Sequence, residues 1–234
     1  MTKSTERKLA LIVGGSRGLG LGLVEACLSR GWQVIATVRD SPGRAVLTTA
    51  GAGKENMLSI MHLDINMPAE IATLRNALAG QHLDVLFINA GVANDPEAAV
   101  ESVPTEEFMH VMVTNALGPL RVMAACHDLV KADGVIAAMS SNMGSVSGNQ
   151  GGGWEVYRAS KAALNQLIRS FGARHQDGKT YLAVSPGWVR TEMGGETAPL
   201  DIATSANGIV DTITARAGIG GVHFVDYSNR TIAW

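Results

Sequence analysis

The residues with the clearest chemical potential lie in the stretch YRASK, which begins with Tyr157 and ends with Lys161. The surrounding run, residues 154–171, predicts one helix, and positions four apart on a helix share a face. We therefore expect the phenol of Tyr157 and the ammonium of Lys161 to point into the same cleft. A Tyr-x-x-x-Lys spacing also occurs by chance with the lysine in solvent, so the rest of the chain must decide between the two interpretations.

A phenol needs a neighbouring group to act as an acid or base near neutral pH, because its free pKa is about 10. Lowering that pKa by about three units takes roughly 4 kcal/mol. One cation at about 4 Å, with an effective dielectric near 20, supplies an amount of that order. We expect Lys161 to be this cation. The tuned phenol could then exchange a proton with a hydroxyl or carbonyl oxygen.

The composition limits the class of protein. The chain has 234 residues, a net charge of -2, 46% hydrophobic residues and 27 glycines, which fits one α/β domain with many tight turns. The near-neutral charge predicts no attraction for nucleic acid or an anionic membrane. No apolar run reaches membrane-spanning length, and the polar residues 1–8 do not resemble a signal peptide.

Cysteine and histidine usage predicts neither a disulfide nor a metal site. Cys27 and Cys126 are the two cysteines, both in predicted helices, and they are expected to be reduced core residues of a cytoplasmic protein. No cysteine or histidine spacing typical of a metal site occurs. The six histidines are scattered, and we expect them at the surface or beside helices.

A glycine-rich segment follows the first predicted strand, residues 9–13. The segment reads Gly-Gly-Ser-Arg-Gly-Leu-Gly from Gly14 to Gly20, and an apolar-periodic helix follows it. Strand, glycine turn and helix together can hold a phosphate at the helix N-terminus. The pattern favours dinucleotide binding over an ordinary βα turn.

The end of the second predicted strand, residues 33–38, bears on which dinucleotide binds. An acidic residue there would favour a free ribose hydroxyl, but Val38 occupies the place and Arg39 follows. Arg39 and Arg17 could together hold a 2′-phosphate, which favours NADP(H) over NAD(H). Asp40 keeps NAD(H) open because its side chain could reach a ribose, and two solvated surface arginines are the remaining interpretation.

The remaining pattern alternates strands with helices. Strands are predicted at 57–63, 83–88, 134–139, 180–185 and 222–226, with helices at 68–78, 105–131, 154–171 and 201–215. This alternation predicts an α/β fold: a Rossmann-like, doubly wound parallel sheet of about seven strands with helices on both faces. No repeat or linker interrupts it, so we expect one domain over residues 1–234.

Polar residues and turns follow several of these strands, where a parallel sheet binds ligands. Asp64 follows the third strand and could accept from an adenine amino group or cap a turn. The fourth strand ends in Asn-Ala-Gly, the fifth in two serines and the sixth in Pro-Gly. Asn115 lies in a long predicted helix just before Gly118 and Pro119, and these poor helix formers predict a local kink.

Taken together, these motifs resemble the short-chain dehydrogenase/reductase family over essentially the whole chain, and the C-terminal stretch and the Gly-Gly-Gly-Trp insert resemble its C-factor-like branch. The resemblance implies an oxidoreductase acting on alcohol and carbonyl groups with NADP(H). It implies that Tyr157 is the general acid/base, Lys161 lowers its pKa, Ser141 orients the substrate carbonyl and Asn115 holds a water on a proton relay. The implied cofactor-contacting residues are Gly14, Ser16, Arg17, Gly18, Leu19, Gly20, Arg39, Asp64, Ile65, Asn89, Ala90, Gly91, Tyr157, Lys161, Pro186, Gly187, Val189 and Thr191.

Two departures from the family pattern affect the expected site. The interval between Ser141 and Tyr157 is long, so Ser140 could take the place of Ser141. The loop after Pro186 is short, which predicts a small or open-ended substrate pocket. The helices at 105–131 and 154–171 resemble the pair that forms dimers in this family, which implies a homodimer or homotetramer. A regulatory protein that binds NAD(P)(H) with incidental catalysis is the alternative.

Overall fold

The computed structural model describes residues 7–234, so most of the polar stretch 1–8 lies outside the described residues. Seven strands form one sheet, and every pairing between neighbouring strands is parallel. The strands are β1 (Leu9–Val13), β2 (Gln33–Val38), β3 (Leu58–His62), β4 (Leu83–Ile88), β5 (Val130–Met139), β6 (Thr180–Ser185) and β7 (Gly221–Asp226). Their order across the sheet is β3-β2-β1-β4-β5-β6-β7, which confirms the predicted doubly wound parallel sheet.

Helices cover both faces of this sheet. They are α1 (Gly18–Ser29), α2 (Ser41–Ala50), α3 (Pro68–Ala77), α4 (Thr105–Met112), α5 (Gly118–Cys126), α6 (Glu155–His175) and α7 (Ile202–Arg216). Apolar residues of α3, α5 and α6 pack on one face, while those of α1, α2 and α7 pack on the other. The strands are nearly all apolar because both of their faces are buried.

The predicted helix over 105–131 is wrong at its far end and interrupted in its middle. A π-helical segment, Val113–Leu117, separates α4 from α5, which confirms a distortion beside Gly118 and Pro119. Val130 and Lys131 begin β5 instead of ending a helix, because Val130 pairs in register with Leu83 of the neighbouring strand. Apolar periodicity cannot distinguish a buried strand start from a helix end.

The helix that carries Tyr157 is displaced from its predicted bounds. Trp154 has a left-handed backbone, φ 57°, so α6 starts at Glu155, and it continues to His175, beyond the predicted end at 171. The two glycines before Trp154 also have positive φ. The chain therefore turns sharply into α6, and Trp154 sets its ring edge against Tyr157 with centroids 5.7 Å apart.

The two cysteines are free and buried, on opposite faces of the sheet, as expected of core residues. Burial raises the pKa of Cys126 to about 11 and that of Cys27 to about 12, so both thiols are poor nucleophiles. Within residues 7–234, no group of His, Cys, Asp and Glu is arranged to hold a metal ion. In the same part of the chain, no helix has the length and hydrophobicity needed to span a membrane.

Candidate active site

Tyr157 and Lys161 lie on the same buried face of α6, as their spacing predicts. Tyr157 is 8% exposed and Lys161 is 3% exposed. The Lys161 ammonium lies 5.6 Å from the centre of the Tyr157 ring and donates a 2.9 Å hydrogen bond to the carbonyl of Met139. Because Met139 is the last residue of β5, this bond fastens the active face of the helix to the carboxyl edge of the sheet.

The predicted direction of the Tyr157 pKa shift is wrong in this structure. Burial raises the pKa of Tyr157 to about 12, and a hydrogen bond with the Ser141 side chain opposes that rise. Burial also lowers the pKa of Lys161 to about 8. Burial disfavours the charged form of both groups, because a buried charge loses its contact with water. The Lys161 ammonium donates its hydrogen bond to the Met139 carbonyl and not to the phenol. Desolvation therefore outweighs the attraction that the sequence suggested.

The two serines after β5 have different partners. Ser140 donates a 2.6 Å hydrogen bond to the amide oxygen of Asn165, so its hydroxyl proton is already used by a side chain of α6. The Ser141 hydroxyl donates to the amide oxygen of Asn142 at 3.3 Å and accepts from the backbone N–H of Met143, and its influence on Tyr157 opposes the rise of the phenol pKa. The geometry therefore brings Ser141, and not Ser140, to the phenol.

Asn165 also supports the short turn that follows these serines. Its amide nitrogen donates a 3.1 Å bond to the carbonyl of Gly144. A Cβ at Gly144 would lie 3.0 Å from the Cβ of Lys161, so the turn packs directly on this part of α6. The sequence analysis missed Asn165; its place four residues after Lys161, on the same helical face, is the signal that could have found it.

Asn115 lies in the π-helical segment and is fully buried. Its amide oxygen accepts from the backbone N–H of Val92 at 2.8 Å, and its amide nitrogen donates to the Val92 carbonyl at 2.8 Å and to Ser160 at 2.9 Å. Through these hydrogen bonds, the Asn115 amide joins the loop after β4 to α6. The Asn115 side chain thus holds protein groups together, and its implied role in holding a water stays a prediction.

A groove of about 440 Å³ opens at the carboxyl edge of β1, β2, β3 and β4. Nine of the predicted cofactor residues line it: Gly14, Ser16, Arg17, Arg39, Asp64, Ile65, Asn89, Ala90 and Gly91. Gly91 connects this groove to the catalytic candidates, because a Cβ there would lie 3.4 Å from the Lys161 ammonium and 3.2 Å from the Asn115 amide oxygen.

The glycine turn has no room for a side chain at Gly20. A Cβ on Gly20 would overlap the carbonyl oxygen of Gly14, and Gly14 itself has φ 83°, which favours glycine. Asn89 donates a 2.9 Å bond to that same carbonyl. The sequence analysis missed Thr37, whose hydroxyl accepts from the backbone N–H of Gly14; a lone hydroxyl in an apolar strand is its signal.

The three charged residues considered for recognition of the ribose or its 2′-phosphate, Arg17, Arg39 and Asp40, have different contacts. Arg39 is exposed at the groove, whereas Arg17 pairs with Glu192 at 2.7 Å. Both partners of that pair are largely solvent-exposed, so the pair contributes little and Arg17 can exchange Glu192 for another anion. Asp40 caps α2, because its carboxylate accepts a hydrogen bond from the backbone N–H of Gly43.

The turn after β3 shows one of the two uses considered for Asp64, the capping of a turn, while the contact with adenine stays a prediction. One carboxylate oxygen accepts from the backbone N–H of Asn66, which caps the turn, and the residue still lines the groove. Ile65 is buried against Gly118. Asn66 and Thr114 also line the groove and bond to each other at 3.0 Å, an addition that the sequence analysis missed.

The predicted residues after β6 lie outside the groove lining. Gly187 has φ 78°, and Val189 is buried and pairs with Leu200. Thr191 accepts from the Gly194 N–H and approaches the glycine turn, since a Cβ on Gly18 would lie 3.9 Å from its methyl group. Gly18, Leu19 and Gly20 form the first turn of α1, also outside the lining. Pro186 is held by Ser205, which donates to its carbonyl.

Comparison with known proteins matches this architecture to one family. Residues 8–200 match the family described as short chain dehydrogenase. The C-signal of Myxococcus xanthus is 35% identical over 155 residues, covering 65% of this chain and 93% of that protein. The chain therefore belongs to the short-chain dehydrogenase family of oxidoreductases.

Solved structures share the complete fold. A Burkholderia multivorans structure with bound NADP has a TM-score of 0.95 and 44% identity, covering 98% of this chain and 100% of that one. A carbonyl reductase from Pseudomonas aeruginosa PAO1 in complex with NADP has a TM-score of 0.91 and 37% identity, with the same coverages. The carbonyl reductase Sniffer of Drosophila melanogaster has a TM-score of 0.90 and 32% identity, again with these coverages.

The buried Lys161 makes stability depend on pH in a defined window. Its pKa falls from 10.5 to about 8 on folding, so between these values the unfolded chain binds more protons and the free energy of unfolding rises with pH. Tyr157 acts in the opposite direction only above pH 10, since burial raises its pKa. Between pH 8 and 10, the unaltered protein should gain roughly 1 kcal/mol per pH unit relative to Lys161→Met.

Urea denaturation across that pH range measures the effect. Arg158→Met is the matched control, because it removes a cation of the same helix that does not deprotonate in proteins. Its curve should run parallel to that of the unaltered protein. A Lys161→Met curve that is also parallel would show that Lys161 carries no lowered pKa.

Proposed function

We propose that the protein is an NADP(H)-dependent carbonyl reductase or alcohol dehydrogenase acting on small carbonyl and alcohol substrates. The observation that carries this proposal is the buried pairing of Tyr157 with Ser141, on the helix face that also bears Lys161 and beside the groove that ends at Gly91. The two NADP-bound neighbours support the choice of cofactor. The short loop after Pro186 supports a small substrate.

The residues of this chain fit a dinucleotide. The side-chain-free turn at Gly14 and Gly20 leaves backbone groups accessible for a pyrophosphate at the start of α1. Arg39 is free at the groove for a 2′-phosphate, and Lys161 lies where it could hold the nicotinamide ribose. The nicotinamide, when bound, supplies or accepts the hydride.

The protein's own contribution is control of a proton and of orientation. The Tyr157 phenol is protonated at neutral pH, as a free phenol is, and this is the form that donates to a carbonyl oxygen. Burial raises its pKa to about 12, so donation needs a nearby positive charge to stabilise the phenolate. Ser141 supplies a second donor beside it. Lys161, with its pKa near 8, is mainly an ammonium at pH 7 and opposes charge build-up on the phenolate that donation leaves.

A regulatory protein with incidental catalysis is the competing class, and the similarity to C-signal is the observation that keeps it in view. The complete set Asn115, Ser141, Tyr157 and Lys161 favours the enzyme. Oxidation of NADPH with a panel of small ketones and aldehydes separates the two, because a protein that binds NADPH but reduces none of them belongs to the regulatory class.

The two buried free thiols support a reducing, cytoplasmic location.

Removing the phenolic hydroxyl tests the proposed acid directly. Tyr157→Phe should lower kcat by about 10²- to 10⁴-fold, the usual contribution of a positioned acid. The NADPH dissociation constant should change less than about threefold, as measured by fluorescence titration. Tyr227→Phe, just after β7, is the control and should retain activity. Loss of NADPH binding in Tyr157→Phe would instead indicate a structural role for the phenol.

Arg39 should set the preference for the phosphorylated dinucleotide. Arg39→Ala is expected to weaken NADPH binding by about tenfold or more while leaving NADH binding nearly unchanged, because a charge-assisted hydrogen bond to phosphate contributes roughly 1.5–3 kcal/mol. Arg44→Ala is the control, since its guanidinium donates to the carbonyl of Ile60. Equal weakening of both dinucleotides would contradict this role for Arg39.

We also propose that the protein is a homodimer or homotetramer assembled through α4 and α6. The two helices contact each other, and large apolar side chains are exposed on them and on the π-helical segment that follows α4: Phe108, Met109, Leu117 and Leu167. Apolar side chains exposed on adjoining elements are expected at an interaction site. Sedimentation at micromolar concentration should show an oligomer that Met109→Glu dissociates and Ile219→Glu, before β7, does not. A single monomeric species in the unaltered protein would contradict this assembly.

A further inference from the structure

A tryptophan lies directly against the proposed acid. The rings of Trp154 and Tyr157 form an edge-to-face contact, with centroids 5.7 Å apart and 68° between the ring planes. Tyr157 is buried, whereas Trp154 is partly exposed to solvent. A Cβ on Gly152 or Gly153 would meet no atom of residues 7–234 within 4 Å, so the chain just before the indole lies in open space. Trp154 is therefore an accessible aromatic group in contact with the reacting residue.

Trp154 and Lys161 flank Tyr157 in opposite directions along α6. Lys161 is one turn further along the helix, and a Cβ on Gly91, which lines the end of the groove, would lie 3.4 Å from its ammonium. Trp154 precedes Tyr157 by three residues, which is about 4.5 Å along the axis in the other direction at a helical rise of about 1.5 Å per residue. The phenol therefore has the groove on its Lys161 side and the indole on its other side.

The backbone at position 154 is unfavourable for a tryptophan. Its φ is 57°, and the other non-glycine residues with positive φ among residues 7–234 are Gln176 and Asn229, which both carry amide side chains. A bulky residue adopts this left-handed conformation less readily than asparagine does. Trp154 is also the N-cap of α6, but its side chain forms no capping hydrogen bond with the described residues, whereas Ser, Thr, Asp or Asn commonly does. Local backbone preference does not explain a tryptophan here, so the explanation lies in its ring.

We propose that Trp154 is a specificity-determining residue whose indole packs against an aromatic group of the substrate. This rests on the proposed function and narrows its substrate class to ketones and aldehydes with an aromatic ring on the reacting carbon. A carbonyl group that accepts the Tyr157 proton brings its substituents close to the indole, because the two rings of the protein are in contact. An aromatic pair gains more than the burial of the same apolar area alone.

Two ketones of nearly equal size test the preference: acetophenone, whose ring is aromatic, and cyclohexyl methyl ketone, whose ring is saturated. The measured quantity is the ratio of their kcat/KM values, because its change on substitution is independent of their intrinsic reactivities. Trp154→Asn, which suits the left-handed backbone, should lower this ratio by about three- to tenfold, mainly through a higher KM for acetophenone. Trp154→Phe, which keeps an aromatic ring, should retain most of the ratio. An unchanged ratio in Trp154→Asn overturns the proposal.

Two controls separate contact with the substrate from other roles of Trp154. Trp188, in the loop after β6, is a second exposed indole, and its N–H donates to the carbonyl of Gly194. Trp188→Leu should leave the ketone ratio unchanged, and a larger fall there than in Trp154→Asn overturns the proposal. The dissociation constant for NADPH should be unchanged in Trp154→Asn, because the indole lies on the side of Tyr157 away from the groove. Weaker NADPH binding assigns the indole to the cofactor and overturns the proposal.

A failure of the proposed function gives a different result. If the unaltered protein reduces neither ketone, nor any other carbonyl compound of the panel, with NADPH, the reductase assignment fails. Thermal shifts with acetophenone and cyclohexyl methyl ketone, in the presence of NADP⁺, then decide the role of Trp154 independently. A larger shift with acetophenone that is lost in Trp154→Asn supports the proposal. Equal shifts, or a difference that Trp154→Asn retains, overturn it.

Discussion

The buried amide of Asn115 is the contact on which the geometry of the site depends. It bonds both backbone groups of Val92 and the hydroxyl of Ser160, so one side chain joins the loop after β4 to the helix that carries Tyr157. Asn115 lies in the π-helical segment, and such segments are frequent at functional sites. Replacing the amide with an apolar group would leave buried backbone groups of the loop without partners.

Burial, and not only neighbouring charge, sets the pKa values of the reacting groups in this site. The same desolvation that raises the pKa of Tyr157 lowers that of Lys161, so both groups are displaced toward their neutral forms. The Met139 carbonyl partly compensates Lys161, and Ser141 partly compensates Tyr157. The Tyr157 phenol is therefore a weaker acid in this structure than a free phenol, which a calculation based on one neighbouring cation cannot reveal.

The sequence was sufficient for the order of strands and helices and for nine of the residues that line the groove. Buried parallel strands are apolar runs ended by glycine or polar turns, and these signals are local. The errors occurred where tertiary contacts decide: Val130 joins β5 because it pairs with Leu83, and the direction of the Tyr157 pKa shift depends on burial that spacing does not show. The choice between Ser140 and Ser141 similarly required Asn165, which engages the first hydroxyl and leaves the second facing the phenol. Bonded neighbours 20 or more residues apart leave no periodic pattern to detect.

The nucleotide-binding half of the site is formed mainly by backbone, whereas the half with the reacting groups is formed by side chains, so the two halves differ in which substitutions they tolerate. The nucleotide half consists largely of backbone and glycine, and its clearances are so small that a Cβ on Gly20 would overlap the Gly14 carbonyl. Few substitutions there are compatible with the fold. The other half is formed by side chains, with Tyr157 and Lys161 on α6, Asn115 in the π-helical segment and Ser141 in the turn after β5. Hydrogen bonds to the backbone hold Asn115, Ser141 and Lys161, so this half depends on polar contacts where the nucleotide half depends on close backbone packing.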